Sequence, residues 1–251
     1  TWKGLGMLHL DEYRNNVLLA GLSDAAWQRW QPNLHQVELQ RGQALSHAGC
    51  KLEHVHFPIQ AVVAMYAITD SGTCSELALV GHEGMVGVCG LMDSKAIFNN
   101  AMVVVGGPCW RMSAAFFRAE VMGESPLMQT MLRYMQAMVT QVAQTAVCNR
   151  HHSIDQALCR WLLMSQDRVR CAPLQLTHEL IARLMGVRRE GVTEAAVRLQ
   201  RSGLIRYTRG SITVTDRAGL ERAGCECYGR VRAEHQCLLG WPDAWPGHSL
   251  T

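Results

Sequence analysis

Two adjacent arginines, Arg188 and Arg189, open the stretch RREGVTEAAVRLQ, and Glu190 and Glu194 follow one helical turn apart. A guanidinium is a rigid fork of N–H donors that matches the O6 and N7 acceptors of guanine. A carboxylate can only accept, most naturally from cytosine N4. If a helix begins near Arg188, then Arg189, Glu190, Thr193 and Glu194 fill its first two turns, where base-reading side chains sit. The plainer alternative for Glu194 is an ion pair with Arg198 at i+4, which reads nothing.

Two other groups could do chemistry. His54 and His56 alternate on a run with strand character and could share a metal, but no third or fourth ligand follows at a suitable spacing. Cys225, Cys227, His235 and Cys237 invite a zinc or redox reading. On a helix, however, side chains two residues apart point about 200° from each other, which is wrong for one ion. The sequence therefore predicts no metal site and no cofactor. The 10 cysteines are irregularly spaced, mostly among apolar neighbours, and read as reduced thiols. No phosphate loop, nucleophile elbow or HExxH pattern occurs, and GHEG (81–84) lacks a second histidine, so the chain does not read as an enzyme.

The elements that position the arginines are legible. In LTHELIARLMGVRREGVTEAAVRLQRSGLI, Thr177 is an N-cap, Ala182 is the small residue at a helix crossing and Gly186 makes the turn. Val187, Val192 and Ala195 bury the second helix against the first. This is a helix-turn-helix, and LIRYTRGSITVTD reads as a β-hairpin wing bearing Arg206 and Arg209. The DNA-facing set is Thr177, His178, Arg188, Arg189, Glu190, Thr193, Glu194, Arg198, Arg206 and Arg209, with Arg183 and Arg201 adding phosphate contacts. Residues 166–232 hold 13 arginines, no lysine and 7 acidic residues, a net +6, whereas residues 1–165 are nearly neutral. Such segregation is the footprint of a nucleic-acid-binding unit.

Upstream, residues 15–30 are helical in spacing, with Ser23 or Asp24 capping a second helix. Glycine-punctuated β-branched runs then point to a compact antiparallel barrel or jelly roll. SAAFFRAEV reads as a short helix. From Pro126 to Asn149, Met128, Met131, Met135, Met138, Val142, Thr145 and Asn149 recur at steps of three and four. That is a heptad seam that wants a partner helix, although it could also pack on its own barrel.

These patterns, taken in order, resemble the Crp/Fnr superfamily of bacterial transcription regulators over residues 15–238. The resemblance implies an α+β chain: a double-stranded β-helix sensor of the β-roll (jelly-roll) type over 10–125, a dimerisation helix over 126–150 and a winged helix-turn-helix over 151–240. It implies a homodimer on double-stranded DNA, reading an inverted repeat, and admits RNA polymerase as a further partner. Cyclic-AMP-binding members carry a Gly-Glu pair and, a dozen residues on, an Arg-Ser pair for the cyclic phosphate. Here Gly87 matches, but Val88 replaces the glutamate and Asn99-Asn100 replace Arg-Ser, which argues against cyclic AMP in that mode. Oxygen-sensing members use an N-terminal cysteine cluster, and the first cysteine here is Cys50, which argues against an iron–sulfur centre. With no apolar run long enough to span a bilayer and no signal peptide, a cytoplasmic location is expected.

The leading expectation is a sequence-specific DNA-binding regulator with an unidentified signal. A nucleotide or cyclic-dinucleotide sensor with secondary DNA contact, and a metal or thiol enzyme, are the alternatives.

Overall fold

The computed structural model describes residues 15–92, 97–169, 173–208 and 210–240; Cys171 and Arg209 lie outside these ranges. Two short helices lead in, α1 (Val17–Ala20) and α2 (Asp24–Trp30), capped by the side chains of Asn16 and Ser23. The cap of the second is thus Ser23, with Asp24 the first helical residue.

Seven strands follow: β1 (His35–Leu39), β2 (Ala44–Ser46), β3 (His54–Pro58), β4 (Val62–Ile68), β5 (Cys74–Val80), β6 (Asn100–Val105) and β7 (Gly107–Ser113). They form two antiparallel sheets, ordered β1-β7-β3 and β2-β6-β4-β5. Both faces of the second sheet are covered, and β4 shows why. Side chains alternate across a strand, so Val63 enters the barrel core with Phe57, Trp30 and Phe117. Val62, Ala64 and Tyr66 point the other way, into a second core that they share with Leu158, Trp161, Ile181 and Val192.

The rest of the chain is mostly helical. After α3 (Ala114–Gly123) comes the 27-residue α4 (Ser125–His151), then α5 (Ile154–Arg168), α6 (His178–Met185) and α7 (Arg189–Arg201). Strands β8 (Ile205–Thr208) and β9 (Ser211–Val214) form the wing, and α8 (Arg217–Ala223) and α9 (Glu226–Leu239) end the described chain. Among the described residues, no helix is long and apolar enough to cross a membrane.

The structure corrects the heptad seam. Met131, Met138 and Thr145 are buried against the chain's own core, and Thr145 also takes a hydrogen bond from Arg160. They are already covered and cannot form a partner seam as well. The accessible apolar stripe of α4 keeps Val142 of that seam, 37% exposed, and adds Leu132, 54% exposed, and Val139, 61%. Met135, at its centre, is half-buried.

A buried polar network welds this helix to the strands. Arg168 donates to Glu83 at 2.7 Å, to the Met164 carbonyl at 2.9 Å and to Gln141 Oε1 at 2.9 Å, while Gln141 donates to the Leu79 carbonyl at 2.9 Å. Around them, the GHEG stretch needs its glycines for close approach. A Cβ on Gly81 would lie 2.6 Å from Arg168 Cβ, and one on Gly84 would lie 2.5 Å from the Tyr134 ring.

Candidate nucleic-acid interface and sensor cavity

The winged unit is built by local rules. The Thr177 hydroxyl accepts from the Leu180 amide at 3.2 Å and starts α6. Gly186 ends it in the left-handed conformation, φ 67°, which L side chains disfavour. Gly191 lets α5 and α7 cross closely, since a Cβ there would meet Ile154 Cδ1 at 2.9 Å. The wing pairs in register from Ile205–Val214 to Thr208–Ser211.

This frame leaves a defined set of side chains at the start of α7. Arg188 is its N-cap residue, with extended backbone and no capping hydrogen bond, and Arg188, Arg189 and Glu190 are all exposed. Arg189 lies 3.8 Å from Glu179, and Glu194 lies 3.8 Å from Arg198; all four are well exposed, so both pairs are weak in water. Arg206 projects from β8, exposed.

Other members of the sequence-derived set have structural employment. Arg198 places its fork on Asp155, with hydrogen bonds of 2.8 and 2.6 Å that hold the Asp155 carboxyl below its ordinary range. Two of its five N–H donors are thus engaged within the protein, while the side chain remains 52% exposed. Thr193 donates to the Arg189 carbonyl at 3.0 Å and sits 3.2 Å from His178 Nδ1. His178 is buried and stacks on Tyr207 with ring centroids 4.1 Å apart; burial, then the charge of Arg189, lower its pKa. His178 and Thr193 thus tie the two helices to each other, and His178 ties them to the wing, while Thr177 caps its own helix. No spacing rule singles out Asp155 or Tyr207, since each acts on a residue far along the chain.

The +6 block is also smaller at the surface than in the sequence. Arg168 is fully buried on Glu83, and the half-buried Arg217 pairs with Asp167 at 2.6 Å, whereas Arg183, which lies against Cys74, stays exposed. Among the described residues, Arg188, Arg201 and Arg206 form no ion pair, and all three are exposed.

A second concavity lies between the barrel and α4, with a volume of about 410 Å³. Gly87, Val88 and Asn99 line it, with Leu52, Met85 and Val139 among the apolar walls. Asn100 does not line it; its Oδ1 accepts from the Ala48 amide at 3.2 Å. Among the described residues, no lysine or arginine borders the cavity. Asn99 donates its amide to the Asn100 carbonyl at 3.2 Å, which leaves its buried Oδ1 without a hydrogen-bond partner. That oxygen has almost no surface open to the cavity, so the wall offered to an occupant is apolar.

The histidine pair on β3 gains no companions. His54 and His56 have ring centroids 6.5 Å apart, and no third ligand among the described residues joins them. Burial, then the charges of His54 and Arg111, push His56 down to about 4.

Residues 156–223 match the family of the Crp-like helix-turn-helix domain. No curated protein matches the chain by sequence. Solved structures match over most of its length. One is a chain of the Crp/Fnr family from Eubacterium rectale, with 21% identity, TM-score 0.65, and coverage of 84% of this chain and 98% of that one. Another is a Crp-family transcriptional regulator from Thermus thermophilus, with 18% identity, TM-score 0.63, and coverage of 74% and 95%. A third is the c-di-GMP-responsive global regulator CLP from Xanthomonas campestris, with 15% identity, TM-score 0.59, and coverage of 76% and 99%. The chain thus carries a Crp-like helix-turn-helix domain joined to a β-roll, in the architecture of the Crp/Fnr superfamily.

Proposed function

We propose that the protein is a homodimeric, sequence-specific DNA-binding transcription regulator whose β-roll senses a small molecule. The observation that carries this reading is the exposed Arg188-Arg189-Glu190 group at the N-terminus of α7, on a frame matching a Crp-like helix-turn-helix. The division of labour follows the chain: residues 10–125 as sensor, 126–150 as dimerisation helix and 151–240 as DNA reader. Arg189 and Glu190 reach base edges, while Arg188, Arg201 and Arg206 neutralise phosphates. Arg189→Ala is expected to cost ~1–3 kcal/mol and relax one position of the half-site, whereas Arg206→Ala weakens all sequences alike. Selection of binding sites in vitro from random DNA checks this; equal loss on all sequences for Arg189→Ala would remove its base-reading role. In the same selection, Glu194→Arg should change the preferred base at one position, because a donor fork replaces an acceptor. An unchanged consensus would leave Glu194 as scaffolding beside Arg198.

The cavity favours a neutral, largely apolar ligand. Met135, Val139 and Val142 border both the cavity and the accessible stripe of α4, so an occupant would touch the surface used for dimerisation. A cyclic nucleotide or dinucleotide sensor is the second reading, prompted by the c-di-GMP response of CLP. Among the described residues, no cation borders the cavity to meet the phosphate. Calorimetry with cyclic AMP and with cyclic di-GMP is expected to give no saturable heat, and saturable binding that raises DNA affinity would reverse the preference.

A further inference from the structure

The two ends of the winged unit bring together four side chains that lie far apart in the sequence. Cys148 is in the last turn of α4, and His152 is the residue that caps that helix. Cys225 and Cys227 come from the junction between α8 and α9. Their ligand atoms, three Sγ and one imidazole nitrogen, all lie within 4.8 Å of one another. Cys148 Sγ is 3.6 Å from Cys225 Sγ, and Cys227 Sγ is 3.6 Å from His152 Nδ1. A tetrahedral ion with metal–sulfur bonds of about 2.3 Å and a metal–nitrogen bond of about 2.0–2.1 Å would set its ligands about 3.5–3.8 Å apart along the edges. The two measured separations are such edges.

The objection that Cys225 and Cys227 point apart falls once the local backbone is known. Cys225 is not helical: it is the N-cap residue of α9, with φ −106° and ψ 163°, while Cys227 is in the first helical turn. An extended residue followed by the helix start turns both sulfurs to one side. His235 and Cys237, which spacing alone would have added, take no part. His235 is buried with Nδ1 2.9 Å from the Val231 carbonyl, and Cys237 is exposed.

Three further features distinguish this group from small residues filling a core. Cys148, Cys225 and Cys227 are buried but belong to neither large hydrophobic core; with Ala157 they form a separate cluster. The imidazole is oriented as in a metal site: Nδ1 faces the sulfurs, and Nε2 lies 3.4 Å from the Glu226 carboxylate. A carboxylate behind the far nitrogen of a histidine fixes its tautomer and raises its donor strength. The charge also balances. Three thiolates and a dication sum to −1, and the buried guanidinium of Arg160 acts on both Cys148 and Cys227.

We propose that Cys148, His152, Cys225 and Cys227 bind one divalent ion of the zinc class in a closed, tetrahedral Cys3His site. Soft thiolates with one imidazole select such an ion over magnesium or calcium, and ligands this close together leave no room between them for a cluster of several irons. Four protein ligands leave no open position, so the ion is structural rather than catalytic. It cross-links the end of the long helix to the α8–α9 junction across the joint where the winged unit departs. Folding and metal binding are thereby coupled.

The test is a cobalt(II) titration of the full-length, metal-stripped protein under a non-thiol reductant. The expected result is uptake of one equivalent, with the intense visible bands of tetrahedral cobalt and a sulfur-to-cobalt charge-transfer band, both abolished by one equivalent of zinc. Cys225→Ser should weaken uptake at least tenfold, and Cys237→Ser, outside the site, should leave it unchanged. Zinc should raise the melting temperature of the wild-type protein and of Cys237→Ser but not of Cys225→Ser. No uptake by reduced wild-type protein, the weak spectrum of octahedral cobalt, or equal loss in the Cys237→Ser control would each overturn the site. So would a Cys148–Cys225 disulfide as the only chemistry found there. Because the titration of the wild-type protein needs neither DNA nor a variant, that arm is independent of the regulator reading and of whether any substitution folds.

Discussion

Replacing Leu132 and Val139 together by glutamate is expected to give a folded monomer that binds a two-half-site operator ~10²–10⁴-fold more weakly than the wild-type protein. Both side chains stand more than half exposed on the accessible stripe of α4, so carboxylates there meet water in the isolated chain and disturb no core. In a dimer the same carboxylates would be buried opposite their symmetry mates, unpaired and costly. The loss in DNA binding follows from valence: with one recognition helix per particle, the second half-site is no longer reached at high effective concentration. Sedimentation and gel shift on inverted-repeat DNA measure the two effects. A variant that remains dimeric would move the interface off this stripe. The contrasting pair Met131 and Met138 offers an internal control, since both are buried within the chain and their replacement by glutamate should unfold it.

Glu83→Gln is expected to cost ~3–5 kcal/mol of folding stability, because it removes the carboxylate that faces the buried Arg168 guanidinium at 2.7 Å. Both side chains of this pair are almost fully buried, and their N–O distance is 2.7 Å. For a chain of this length, such a loss corresponds to about 6–20 °C in melting temperature. The pH dependence has a definite sign. Burial alone would raise the pKa of Glu83, but the adjoining Arg168, with His82 and His235, outweighs it and holds the carboxyl below its ordinary range. A depressed carboxylate contributes stability that is complete above its unfolded pKa, about 4.3, and is lost as pH falls through the lower folded value. Urea unfolding at pH 7 and at successively lower pH should therefore show the gap between wild type and Glu83→Gln narrowing below about pH 4. A gap that stays constant into acid would assign the stabilisation to packing rather than to the ion pair.

What the sequence determined by itself was the kind and order of the elements. The helix-turn-helix is legible because each of its requirements is met within one or two turns: Thr177 caps its own helix, Gly186 supplies the left-handed turn, and the apolar positions repeat at the helical period. The strands of the barrel and the length of α4 follow from periodicity in the same way. Only the tertiary structure decided which face of each element was already in use. The α4 helix is apolar on two sides, and steps of three and four cannot tell the stripe through Met131 and Met138 from the stripe through Leu132 and Val139. That depends on what packs against it, and α9 arrives from the other end of the chain. Arg198 was legible as a cation on the recognition helix, yet its fork belongs to Asp155, 43 residues away. Cys225 and Cys227 were visible as a close pair, but their companions Cys148 and His152 lie more than 70 residues earlier. Local backbone preferences act over a few residues and can be read along the chain, whereas an ion pair or a ligand set is defined in space, by side chains that meet only after folding.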